Sequence, residues 1–155
     1  MEIRTGGLDH PAVASLLEEH LQSMAQLSPP ESIHALDLDA VRKPQITFWS
    51  GWQDDELMGC GALKQLDAAH GEIKSMRTAS RHRRKGVAAA MLEHILDEAQ
   101  RRAYTQLSLE TGSMQGFEAA RALYARYGFE SCGPFADYTD DPNSVFMTRA
   151  VQTRP

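Results

Sequence analysis

Residues 80–92, SRHRRKGVAAAML, constrain this chain more than any other stretch. Arg81, His82, Arg83, Arg84 and Lys85 crowd against Gly86 and the small residues Ala88, Ala89 and Ala90. Val87, Met91, Ile95 and Ala99 then recur at helical spacing, widened by Leu92 and Leu96, which predicts an amphipathic helix over about 86–102. Asp97–Arg101 and Glu98–Arg102 are expected to support it as i,i+4 pairs. The preceding GEIKSMRTAS reads as a strand. A strand, a glycine loop and a helix start together make an anion site. The first N–H groups of a helix lack internal partners, and the helix dipole adds positive potential there. Gly86 lets a ligand approach the backbone, and flanking Arg and Lys add charge. The arrangement suits a phosphate or pyrophosphate. It has neither the G-x-x-x-x-G-K-[ST] nor the G-x-G-x-x-G spacing.

The rest of the chain supplies strands first in hairpins and later in alternation with helices. MEIRT reads as a first strand. Asp9 and His10 before Pro11 signal a helix start, and Val13, Leu16, Leu17, Leu21, Met24 and Leu27 carry its apolar stripe. Ser28-Pro29-Pro30 ends it. ESIHALDLDAVRKP is ambiguous, part helix and part loop, and is placed to act as a flexible lid. ITFWSGWQ and ELMGCGALKQLD, split at Asp54-Asp55, predict an antiparallel hairpin. TQLSLET is a further strand and GFEAARALYARYGF a second helix stopped by Gly128. SVFMTRAV is the last strand. The expected fold is α/β (α+β): a single domain over 1–155 with one central, mixed but mostly antiparallel sheet flanked by helices.

Composition narrows the partners. Lys and Arg number 16 against 21 Asp and Glu, a formal net charge of −5, opposite to a general nucleic-acid or anionic-membrane binder. A solvated basic run or a small nucleic-acid patch remains the other reading of RHRRK. Cys60 and Cys132 lie in no CxxC or His/Cys cluster, so neither a disulfide scaffold nor a metal site is expected. No apolar run is long enough to span a bilayer and the opening residues lack a signal-peptide core, so the expectation is a cytoplasmic protein.

Arg83-x-x-Gly86-x-Ala88 matches [QR]-x-x-G-x-[GA], and ALYARYGF is similar to A-x-x-L-Y-x-x-x-G-F, with the strand LSLET between them. In these motifs and their order the chain resembles the GNAT superfamily of N-acetyltransferases from first strand to last. The resemblance implies acetyl-coenzyme A as cofactor and an acetyl group moved to an amine. It places the pyrophosphate on N–H groups of Arg84, Lys85, Gly86, Val87, Ala88 and Ala89, beside Arg83. It places the pantetheine arm and the oxyanion on the backbone of Met76, Arg77 and Thr78.

The same resemblance makes Tyr124 the general acid at the coenzyme A sulfur, a role a phenol suits better than that of base. Tyr127, one turn later, is expected to pack. Glu72, at the start of the strand leading into the motif, is the first candidate base; alternation sets it on one face with Lys74 and Met76, barring a bulge. Glu110 is the second. Each has a purely structural alternative as a strand-end charge or ion-pair partner. Where many family members hold the cofactor arm with an Asn, this chain has Phe117, and Thr111, Ser113 or Gln115 are candidates to compensate. Ser32 and His34, in the segment that roofs the acceptor pocket of the family, are candidate substrate contacts, and Arg77 or Lys74 could recognise a carboxylate. A small-molecule amine is the expected acceptor, without nucleic-acid or membrane partners, and pairing into a homodimer is suggested by analogy alone. The competing class is a non-catalytic acyl-CoA-binding or sensing domain.

Overall fold

The structure is a computed structural model and describes residues 1–152. Seven strands form one sheet in the order β1-β2-β3-β4-β5-β7-β6. They are β1 (Glu2–Thr5), β2 (Ile46–Gln53), β3 (Glu56–Gln65), β4 (His70–Thr78), β5 (Gln106–Gly112), β6 (Glu130–Cys132) and β7 (Ser144–Ala150). Only β4 and β5 pair in parallel; the other neighbours are antiparallel. The expected hairpin is β2–β3, with Asp54 in the left-handed region at its turn. The three-residue β6 has too little pattern to be read from sequence.

Three helices cover the sheet. α1 (Pro11–Leu27) starts where Pro11 predicts, capped by His10, whose Nδ1 accepts from the Ala12 N–H at 3.0 Å. α2 (Val87–Arg101) follows Gly86, and α3 (Glu118–Arg126) follows a 3-10 turn at Gln115–Phe117. Because both faces of the sheet are covered, the central strands alternate between two cores. Val13, Leu16 and Leu17 of α1 pack on Phe48, Trp52 and Ala62. On the other face Met91, Leu92 and Ile95 of α2, with Leu123 and Tyr124 of α3, pack on Trp49, Leu63, Ile73, Leu107 and Leu109. Each such buried side chain contributes about 1.5–3 kcal/mol.

One local expectation is corrected. Glu98 pairs with Arg102 as expected, but Arg101 also turns to Glu98, at 2.9 Å, instead of to Asp97. One carboxylate shared by two guanidiniums also lets Arg102 reach the Thr47 hydroxyl. The segment between α1 and β2 is part helix and part loop, with 3-10 turns at Pro30–Ser32 and Ala40–Arg42; Ser32 bonds Asp141, and Arg42 bonds Asp9.

Candidate active site

A break in the sheet creates the site. β4 pairs with β5 only from His70–Gln106 to Ile73–Leu109; beyond that the strands part. The cause lies in β4. Cys60 of β3 faces Arg77 while Ala62 faces Lys74, so Gly61 opposes both Ser75 and Met76, and Ser75 takes a φ of 55°. This bulge overturns the simple alternation. Glu72 and Lys74 share the α1 face, but Met76 crosses to pack beside Met91 and Ile95, and Arg77 returns to the α1 face. A cleft of about 620 Å³ opens between the parted strands. The edge of β4 beyond Lys74 has no β5 partner, so its backbone is free to pair with an extended ligand.

At one end of the cleft lies the basic segment. Arg84 and Gly86 both have positive φ, 65° and 81°, which curls the backbone around Lys85 into a concave array of N–H groups. No side chain caps the start of α2, and its first turn holds no acid. Arg83, Arg84 and Ala88 line the cleft. Val87 and Ala89 turn into the core, so their part in anion binding is confined to the backbone. Lys85 Nζ points to His82 Nδ1 at 3.2 Å, and His82 Nε2 lies 3.2 Å from Glu56. These residues fit a pyrophosphate: an uncapped helix start, two left-handed residues and exposed guanidiniums.

The other end is acidic. Glu72 is only 2% exposed, and its Oε2 accepts from Tyr138 at 2.5 Å and from Lys74 at 3.2 Å. Lys74 also donates to the Tyr138 oxygen at 3.0 Å. Glu110 faces the same end without such pairing. Burial pushes its carboxyl up to about 7, against the pull of the Ser144 hydroxyl and the Lys74 charge. Ser32 is buried and donates to Asp141 at 2.5 Å, and Asn143 donates to Ser32. His34 sets its ring edge-on to Tyr138 at 4.9 Å, and burial lowers its pKa. Ser32 and His34 line the cleft together with Glu72 and Glu110.

Tyr124 stands on α3 with its ring edge against Phe129 and lines the cleft. Burial raises its phenol well above the usual range, so it holds its proton, and its hydroxyl has no hydrogen-bond partner among the described residues. Tyr127 instead turns outward and donates to Glu93 at 2.6 Å, while part of it packs on the core. Phe117 also lines the cleft, but its ring lies so close over Gly112 that any side chain there would clash. Of the candidates to replace the missing Asn, Thr111 lines the cleft, whereas Ser113 is taken up by the Pro142 carbonyl. Tyr138, Asp141 and Asn143 escaped the sequence reading. They sit in an irregular connection whose proximity to Glu72 no periodicity encodes; the only signal was the aromatic pair in GPFADY.

The pattern of the Acetyltransferase (GNAT) family matches residues 13–129. The uncharacterised N-acetyltransferase YsnE of Bacillus subtilis (strain 168) is 62% identical over 97% of this chain and 100% of its own length. Among solved structures, a Klebsiella pneumoniae subsp. pneumoniae MGH 78578 protein described as an acyl-CoA N-acyltransferase superposes with a TM-score of 0.78 at 25% identity, covering 97% of each chain. A GNAT family acetyltransferase from Elizabethkingia anophelis, with acetyl-CoA bound, superposes with a TM-score of 0.68 at 16% identity over 96% of this chain and 97% of that one. The chain belongs to the acetyltransferase (GNAT) family: it is an N-acetyltransferase, and acetyl-coenzyme A is its cofactor.

Proposed function

We propose that residues 1–155 form one N-acetyltransferase domain that acetylates the amine of a small molecule by direct attack on the thioester, with Glu110 as base and Tyr124 as acid. The observation that carries this reading is the pairing of an unpartnered phenol with a carboxyl held near neutral pH, both on one cleft. Acetyl-CoA, when bound, supplies an activated acetyl thioester. N–H groups of Arg84 to Ala89 hold its pyrophosphate, and the free edge at Met76, Arg77 and Thr78 holds its arm and meets the developing oxyanion. Glu110 takes the proton that an acceptor ammonium must lose before nitrogen can attack. Tyr124 gives its proton to the departing sulfur.

Glu72 was the first candidate base, and its geometry favours a supporting role. Its Oε2 is already occupied by an ammonium and a phenol, while Glu110 has no such partners and need only lose the proton that burial lets it keep. Acceptors of small size are favoured by the fastened roof: Ser32 and His34 are tied to Asp141 and Tyr138 across the cleft. A cleft of this volume is of the size that holds small ligands.

Calorimetric titration with acetyl-CoA, with desulfo-CoA and ATP as controls, tests the site, and thiol release with a panel of amines tests turnover. Saturable binding that ATP does not mimic, followed by amine-dependent thiol release, is expected. Binding without release from any amine would favour a sensing domain, and no binding at millimolar ligand would remove the cofactor assignment altogether.

A further inference from the structure

Among the described residues, six buried side-chain polar atoms have no hydrogen-bond partner. Three of them, His20 Nδ1 on α1 and Ser75 Oγ and Arg77 Nε at the bulge of β4, belong to residues that line the cleft. Buried polar atoms are nearly always paired, so such a concentration asks for a missing partner. Ser75 is 6% and His20 8% exposed, and the Arg77 side chain is almost as deeply set. Ser75 carries the positive φ of the bulge, a conformation costly for a serine that the surrounding structure must impose.

The chemistry of the three groups agrees. Arg77 can only donate; one Nη is held by Glu19 at 2.9 Å, which leaves the Nε–H unmatched. The Ser75 hydroxyl can turn to donate. His20 is kept neutral by burial and by Arg77, and a neutral imidazole can present one N–H. Three donors, one of them cationic, call for an oxygen ligand that bears negative charge. The other cation the sequence offered, Lys74, turns two of its three N–H groups to Glu72 and Tyr138. Of the two groups the sequence offered for a carboxylate, Arg77 is the one with a buried N–H that no described residue meets.

Resting on the acetyltransferase reading above, the geometry points to an acceptor that is itself an aminocarboxylate, its carboxylate seated on His20, Ser75 and Arg77 while its amine faces Glu110.

The test needs no variant to begin. Thiol release at saturating acetyl-CoA is measured for amines in three matched forms: the free amino acid, its carboxamide and the decarboxylated amine. The free acids are expected to exceed both neutral forms in kcat/KM by roughly 10- to 100-fold, chiefly through KM, the range of a lost charge-assisted contact. Arg77→Gln and His20→Leu, checked for folding by circular dichroism, should each collapse that ratio. Equal use of the three forms by the wild type would overturn the subsite and leave the acetyltransferase reading standing, as would a ratio that survives both substitutions. Absence of thiol release from all three forms, with acetyl-CoA still bound, would overturn the acetyltransferase reading, and this assignment with it.

Discussion

The two glutamates of the cleft show how partners decide chemistry. Glu72 is locked between Lys74 and Tyr138, while Glu110 has burial and no ion pair. Glu110→Gln should lower kcat by about 100-fold or more and remove the acidic limb near pH 7 from the pH–rate profile. Its effect on stability has the opposite sign. A carboxyl raised from 4.5 to about 7 favours the folded state most when protonated, and that contribution fades as pH rises through 7. The glutamine should therefore melt above the wild type at pH 8 and converge with it below pH 4.5. Glu72→Gln should instead keep the acidic limb and cost about 3–5 kcal/mol, because Lys74 is left buried without its counter-charge. Tyr124→Phe should depress kcat with acetyl-CoA affinity nearly unchanged by calorimetry; wild-type turnover would remove Tyr124 from the reaction. Tyr124 could be read from its helix motif. The standing of Glu72 could not, because Tyr138 lies 66 positions away in a loop.

Among elements, the strand–loop–helix unit of β4, the basic turn and α2 forms the proposed donor site. Its regular parts follow from local rules: the apolar stripe, the glycine before the first turn, the small residues after it. The bulge does not. Strict alternation sent Met76 to the side of Glu72, and only the pairing of Gly61 against two residues shows otherwise. The helix that Gly128 ends starts later than the sequence suggests, because residues 115–117 tighten into a 3-10 turn that lays Phe117 over Gly112. Gly86 gives the sharpest test at this scale. Its φ is 81° and a methyl group there would meet nothing within 4 Å, so Gly86→Ala acts through backbone strain alone. That strain, of about 1–2 kcal/mol, should weaken acetyl-CoA binding roughly tenfold or more while leaving the far-UV circular dichroism unchanged. Unaltered affinity would mean the loop does not anchor the pyrophosphate.

For the whole molecule, the sequence order of strands and helices was enough to anticipate one mixed sheet between helical layers, since both cores follow from periodicities of 2 and 3.6. What it left open was how distant loops meet over the cleft. Ser32 and Asp141 are 109 positions apart, and their contact depends on the folded sheet bringing β7 beside β5. The parting of β4 from β5 has a consequence for how such a chain can change over generations. The proposed donor end is written in one uninterrupted stretch, from Met76 to Ala89, where a substitution would threaten the shared reagent. The acceptor end is assembled from the connections before β2 and before β7, segments that can lengthen, shorten or exchange side chains at little cost to either core. New amine specificities can therefore be tried by drift in the roof while the machinery for handling the acetyl donor is inherited intact.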